Sequence, residues 1–310
     1  MLPKPRKGCG VPPAFPHGAG GDVGGRHVER TKDIMARTWF ITGAASGLGR
    51  ELARAALADG DKVIIADRNP AGADEVVAAY PDRASAVQVD MTDGAQIRKV
   101  VADVIARHDG IDILVNGAGR GHIGSVEDTP EADLRSLLEL IFFGPVTLIQ
   151  AALPQMRERG SGAIINISSQ AGQMSVPGMS AYSAGKFGLE GLSIALAEEV
   201  RPFGIKVMVP QPGAMRTNFA GAAISRSPFG PDYEATVGGL VEHVEEVGGN
   251  EKGDPVKIAR AIIEAIDSDD NPFRLPLTSG CFDALVASAE ATRRERLKWE
   301  ALSRGVEFDT

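Results

Sequence analysis

The sequence predicts an α/β fold: one doubly wound parallel sheet with helices on both faces. Three observations carry this. From Thr38 onward, short β-rich runs alternate with amphipathic stretches of helical length. Strand runs such as Lys62-Val-Ile-Ile-Ala66 are nearly continuous in apolar residues, as strands buried on both faces must be. The 310-residue chain is 43% hydrophobic and 24% charged, which suits a large globular domain with a sizeable core.

The alternation sets the elements in order. A strand from Trp39 to Thr42 passes through a Gly-rich turn into a helix from Arg50 to Asp59. A strand from Lys62 to Asp67 is followed by a helix from Gly72 to Tyr80. Next come a strand from Ala86 to Asp90 and a helix from Gln96 to His108. The run Ile113 to Asn116 is the fourth strand, and a long apolar helix from about Asp133 to Arg157 follows it. A strand from Ala163 to Ser169, a helix from Tyr182 to Arg201 and a strand from Ile205 to Val209 continue the pattern. Residues 214–253, rich in Gly, Pro and mixed charge, break it. They read as a loop with short helices covering a site. A helix from about Pro255 to Asp267, a strand near Phe273 to Leu277 and a charged helix from about Phe282 to Leu302 close the chain.

Composition excludes several function classes. Residues 1–34 hold seven Gly and five Pro and show no apolar periodicity. They read as a disordered N-terminal extension, with Met35 a candidate start and residues 35–310 the folded domain. The net charge of −8 gives no global attraction to nucleic acid or to an anionic membrane surface. Cys9 and Cys281, far apart, make neither a disulfide framework nor a zinc site, and they fit a reducing cytoplasm. The five histidines have no ligand-type spacing, so no metal is expected. The most apolar window, Leu137 to Leu153, carries Glu139, Thr147, Gln150 and a central Gly144-Pro145, and reads as a buried helix or subunit contact rather than a membrane span.

The first strand ends in Thr42-Gly43-Ala44-Ala45-Ser46-Gly47-Leu48-Gly49. Glycines here allow a tight turn and bring backbone N–H groups, at a helix N-terminus, close to a pyrophosphate. Asp67 closes the second strand, where a carboxylate accepts hydrogen bonds from the adenosine ribose and repels a 2′-phosphate. Arg68 beside it would favour that phosphate, but the Gly loop contains no basic residue. NAD(H) is therefore expected over NADP(H). Further on, Tyr182 and Lys186 stand at i and i+4 and so share a helix face. A phenol titrates near ~10. A neighbouring ammonium and an oxidised nicotinamide, both positive, would lower that value. Ser169 lies at the end of a predicted strand, the edge where an open α/β sheet binds ligands.

Each of these signals is common by itself; the ordered set is not. With Asp90 after the third strand, Asn116-Gly117-Ala118-Gly119 after the fourth, and Pro212-Gly213 with Thr217, the chain resembles the short-chain dehydrogenase/reductase family in its single-domain branch. The resemblance runs from about Arg37 to Thr217 and implies a Rossmann-type fold. On these positions it implies Tyr182 as general acid/base, Lys186 lowering its pKa and holding the nicotinamide ribose, and Ser169 bonding the substrate oxygen. It implies a dinucleotide lying along Gly43, Ser46, Gly47, Leu48, Gly49, Asp67 and Arg68. Asp90 and Met91 would meet the adenine. Asn116, Ala118 and Gly119 would line the cofactor's path, and Pro212, Gly213 and Thr217 would fix the nicotinamide. The implied reaction moves a hydride between that ring and a secondary alcohol or ketone.

Two departures stand out. Gly117 replaces the family's second Asn, and Ile141 stands where the long helix usually carries an Asn serving a proton relay. Ile141 motivates an alternative reading, a non-catalytic dinucleotide-binding regulatory protein. A sugar-nucleotide epimerase or dehydratase is disfavoured, because little chain follows residue 255 to build a larger substrate domain. Expected pocket walls come from Arg120 to Ile123, Gln170 to Met179 and the 214–250 segment. Apolar candidates there are Ile123, Met174, Val176, Met179 and Phe219, with Arg120 and His122 as polar ones. Partners expected are a small alcohol or ketone and a second copy, as a homodimer or homotetramer pairing through the two long helices.

Overall fold

The computed structural model describes residues 36–219, 221 and 223–308. The expected disordered extension, 1–34, lies outside the described residues.

Each strand–helix unit follows from local chemistry. Strand β1 (Thr38–Thr42) alternates cleanly: Trp39 and Ile41 pack on one sheet face, Phe40 on the other. Trp39 settles its indole N–H on the Asp61 carboxylate at 2.8 Å. Helix α1 (Gly47–Ala58) leads to β2 (Lys62–Asp67), then through a 3₁₀ turn to α2 (Asp74–Ala79) and β3 (Ala84–Gln88). Helix α3 (Gly94–His108) begins where the Asp93 carboxylate accepts from Ala95 N and Gln96 N at 2.9 and 3.0 Å. Strand β4 (Ile113–Asn116) and the short β5 (Gly121–Ile123) follow.

The long apolar helix is interrupted. Helix α4 (Glu131–Leu138) passes through one π-helical turn, Glu139–Phe143, into α5 (Gly144–Arg159), which Gly160 ends with φ +66. This 29-residue stretch has the length and apolarity of a membrane span. Here α5 packs against α3 and α4 against α6. Strand β6 (Gly162–Asn166), helix α6 (Ser180–Val200), β7 (Ile205–Pro212), β8 (Ile224–Arg226), a π turn and α7 (Gly239–Val247) come next. Helix α8 (Pro255–Asp267), capped by Asp254, precedes β9 (Arg274–Leu277), α9 (Ser279–Lys298) and α10 (Glu300–Arg304).

Among the described residues, seven strands form one parallel sheet in the order β3-β2-β1-β4-β6-β7-β9. One apolar cluster joins α1 and α8 to one face; a second joins α3, α5 and α6 to the other. The order reverses between β1 and β4, so loops leaving the carboxyl ends of these strands diverge and leave a crevice.

The structure differs from the sequence expectations at several places. Strand β3 ends at Gln88, so Asp90 lies in the turn beyond it. Strand β6 ends three residues before Ser169, which instead caps a 3₁₀ turn, Gln170–Gly172. A second small sheet pairs β5 with β8, in parallel. The break in the long helix is located by Gly144: a Cβ there would collide with the Met91 carbonyl oxygen. Gly144→Ala is expected to destabilise the fold by about 1–3 kcal/mol through overpacking, read as a lower denaturant midpoint with an unchanged slope.

Candidate active site

A cleft of about 1020 Å³ opens along the carboxyl ends of the parallel strands. One end is built on backbone. Gly43 takes φ +70, and a Cβ on it would sit 2.8 Å from Ala118 Cα. A Cβ on Gly117 would meet the Thr42 carbonyl at 2.8 Å. Only residues without side chains let the β1–α1 turn and the chain after β4 approach this closely. Thr42 joins them, its hydroxyl accepting from Gly117 N at 3.0 Å and Ala118 N at 3.2 Å and donating to Val115 O at 3.2 Å. Ser46 is the N-cap of α1 yet makes no side-chain capping bond. The first-turn N–H groups beside it, on Gly47, Leu48 and Gly49, belong to residues that line the cleft. This cradle fits a dinucleotide pyrophosphate.

Farther along, Asp67 lines the cleft with its carboxylate fixed by Asn69 N at 3.0 Å and Ala45 N at 3.3 Å. Arg68 lines it too. Asp90 accepts from Thr92 N at 2.9 Å and Thr92 Oγ1 at 2.8 Å, bonds that hold its carboxyl below the ordinary carboxylate range, with a smaller contribution from the Arg68 charge. Met91, Ala118, Gly119, Pro212, Gly213 and Thr217 complete this wall.

The other wall carries Ser169, Tyr182 and Lys186. Tyr182 and Lys186 lie one turn apart on α6, and the ammonium stands 5.7 Å from the phenol ring centroid. The Ser169 side chain, which accepts from Ala171 N at 3.2 Å, acts on the phenol in the direction that lowers its pKa. Lys186 Nζ donates to the Ile167 carbonyl at 2.7 Å. Both side chains are buried, and burial dominates their titration. It pushes the Tyr182 phenol up to about 12, against the lowering effect of Ser169, and pushes Lys186 down to about 8, against the attraction of Glu190. The expectation of an acidic phenol included the positive charge of an oxidised nicotinamide beside that of Lys186; among the chain's own groups, burial outweighs the Ser169 effect and raises the phenol's pKa.

Nearly all the residues singled out in sequence are brought together here. Among the expected catalytic and cofactor residues, Asn116 is the exception. It is buried in the sheet, its Nδ2 on Asn166 Oδ1 at 2.8 Å, and does not line the cleft, because strand alternation turns it inward. On the substrate side Arg120, Met174, Val176, Met179 and Phe219 line the cleft, with the Phe219 ring 6.1 Å from that of Tyr182. Ile123 and His122 do not. Pairing of β5 with β8 buries both, and Ser225 Oγ and Ser227 Oγ meet the two ring nitrogens of His122 at 3.0 and 3.1 Å. Sequence reasoning missed Glu251. It lines the cleft while only 4% exposed, and neither carboxylate oxygen has a hydrogen-bond partner. No motif or spacing marks it. Among the described residues, no group of three or more His, Cys, Asp or Glu is placed to hold a metal ion.

The sequence pattern of the short chain dehydrogenases matches residues 37–227. The chain belongs to the short-chain dehydrogenase/reductase family. A curated family relative, Oxidoreductase BOA17 of Botryotinia fuckeliana, is 34% identical over 270 residues, 87% of this chain and 98% of its own. The crystal structure of a short-chain dehydrogenase from Streptomyces avermitilis is 49% identical, with a TM-score of 0.85 covering 88% of this chain and all of the other. A short chain dehydrogenase/reductase from Burkholderia phymatum, solved in complex with NAD, shares the fold at 21% identity, with a TM-score of 0.72 over 89% of this chain and 98% of its own. The chain is thus an oxidoreductase of this family.

The buried His122 carries a pH signature. Burial lowers its pKa, the Asp133 charge opposes this, and the Arg120 charge adds to it. An unfolded chain protonates this ring first, at about pH 6.5. Its contribution to stability is therefore present above that value and lost as pH falls through the lower folded-state pKa. His122→Asn is expected to flatten the acid limb of the unfolding free energy below pH 6.5, measured by denaturant titration at several pH values.

Proposed function

We propose that this protein is an NAD-dependent oxidoreductase that interconverts a secondary alcohol and a ketone, with Tyr182 as general acid/base. The observation that carries the reading is convergence: Ser169, Tyr182 and Lys186 share one cleft with a glycine cradle shaped for a pyrophosphate. When bound, a nicotinamide dinucleotide supplies or accepts the hydride. Ser46 to Gly49 would hold its pyrophosphate on backbone N–H groups, with Gly43, whose own N–H is spent on Ala66 O at 2.9 Å, leaving the turn room; Asp67 would receive the ribose hydroxyls, and Pro212, Gly213 and Thr217 would orient the ring. Ser169 and Tyr182 bond the substrate oxygen, and Tyr182 gives or takes its proton at Oη. Lys186 holds its positive charge beside that phenol. Burial, partly offset by Ser169, pushes Tyr182 up to about 12. A second positive charge in the cleft lowers that value toward working pH.

Asp67 supports NAD over NADP, since its anchored carboxylate faces the site of a 2′-phosphate. The apolar Met174, Val176, Met179 and Phe219 suit a partly apolar substrate. The partnerless carboxylate of Glu251 suits a substrate that also bears a hydrogen-bond donor. Exposed Phe143, Phe187 and Ile194 on the long helices support a homo-oligomer.

A second reading, a dinucleotide-binding regulatory protein without turnover, is favoured by one observation. Ile141 is fully buried against Gly185 and leaves no polar side chain at its position.

The discriminating experiment follows NADH and NADPH formation with secondary alcohols, matched in pairs with and without an additional donor. Tyr182→Phe is expected to lower kcat by about 10²–10⁴-fold while NADH still binds by fluorescence. NADH binding without turnover in the parent enzyme would favour the regulatory reading. Asp67→Ser is expected to shift the NAD-to-NADP ratio of kcat/KM toward NADP by about tenfold, ~1.4 kcal/mol. An unchanged ratio would remove Asp67 as the cofactor determinant.

A further inference from the structure

One turn beyond Lys186 on α6 lies Glu190, only 2% exposed. Its Oε1 accepts from Ser168 Oγ at 2.9 Å and Gln211 Nε2 at 2.6 Å, and its Oε2 from Arg274 Nε at 2.8 Å. Lys186 and Glu190 dock on consecutive residues past the end of β6. The ammonium takes the Ile167 carbonyl, and the carboxylate takes the Ser168 hydroxyl. The i, i+4 spacing on α6 and the single step from 167 to 168 thus place the two opposite charges on successive turns of one helix face, without a direct ion pair.

Arg274 belongs to the edge strand β9 and is 30% exposed, with its guanidinium 5.2 Å from the Phe273 ring centroid. Charges of alternating sign therefore run inward from the sheet edge: Arg274, Glu190, Lys186, and then the Tyr182 phenol. Among the described residues, the titratable groups that face Lys186 and Glu190 are Tyr182 from α6, Arg274 from β9 and Cys281 from α9. The Cys281 thiol donates to Gln211 O at 3.1 Å, and burial raises its pKa. Strands β6 and β7 and the turn after β6 contribute only uncharged groups, the Ile167 carbonyl, Ser168 and Gln211.

We propose that the Arg274–Glu190 pair is a positioning device that holds Lys186 protonated beside Tyr182, with Arg274 limiting how strongly Glu190 does so. The proposal rests on the catalytic reading of Lys186 given above. Burial drives the lysine toward its neutral form, and Glu190 opposes this. Without the Glu190 charge, the ammonium keeps only neutral partners, the Ile167 carbonyl and the Tyr182 ring, and loses its proton at lower pH. Without the Arg274 charge, Glu190 is no longer shared, and Lys186 keeps its proton to higher pH. A purely structural role would move both variants the same way.

The test is a ¹³C NMR titration of lysine-labelled full-length protein, with the Lys186 signal assigned by Lys186→Arg. Glu190→Gln is expected to lower the Lys186 midpoint and Arg274→Met to raise it, each by about one on the pH scale. Arg274→Lys, which keeps the charge, is expected to restore the parent midpoint. Both variants moving in the same direction, or neither moving, would overturn the proposal. So would an unfolded Glu190→Gln accompanied by an Arg274→Met that does not raise the midpoint. The pH profile of kcat/KM for alcohol oxidation should follow the same signs. Shifted midpoints with an unmoved rate profile would sink the catalytic reading of Lys186 and leave the charge coupling standing.

Discussion

The site depends on how closely two strands approach at their carboxyl ends. Where β1 and β4 run side by side, the chain leaving each must turn away, one into α1 and the other toward the small β5–β8 sheet. Gly43 and Gly117 make the approach sterically allowed, and the Thr42 hydroxyl fastens it with three hydrogen bonds. From that seam the cradle opens on one side and the wall bearing Ser169, Tyr182 and Lys186 stands on the other. The seam is made of backbone and one small hydroxyl, so it has few ways to adjust. That rigidity lets the binding residues sit on diverging loops without losing their relative positions.

The wall bearing Tyr182 and Lys186 shows a different balance, between burial and charge. Tyr182 and Lys186 are both taken out of water, and each is driven toward its neutral form. A buried ammonium persists when bonded and opposed by a nearby anion, here the Ile167 carbonyl and Glu190. Arg274 on the outermost strand shares the same carboxylate, so the sheet edge and this wall are joined through Glu190.

The parts legible in the sequence are those encoded locally. The apolar runs gave the strands of the main sheet, the glycine spacing marked the cradle, and the i, i+4 spacing placed Tyr182 and Lys186 on one face. The illegible parts depend on partners far along the chain. Strands β5 and β8 are three residues each, too short for periodicity, and they pair across about a hundred residues. That pairing withdrew His122 and Ile123 from the cleft. Asn116 sits within the motif that pointed to the cofactor, but pleat direction, which motif spacing does not encode, turned it toward Asn166. Glu251 and Arg274 carry no local signal at all. Their roles come from what surrounds them after folding.

The contact between Ile141 and Gly185 has a consequence for how this sequence can vary. A Cβ at residue 185 would lie 2.7 Å from Ile141 Cγ1, so the bulk of one residue occupies the room left by the other. Neither position can drift freely. Enlarging 185 meets a clash, and shrinking 141 opens a hole against helix α6, so side-chain volume at these two positions is traded within one shared space.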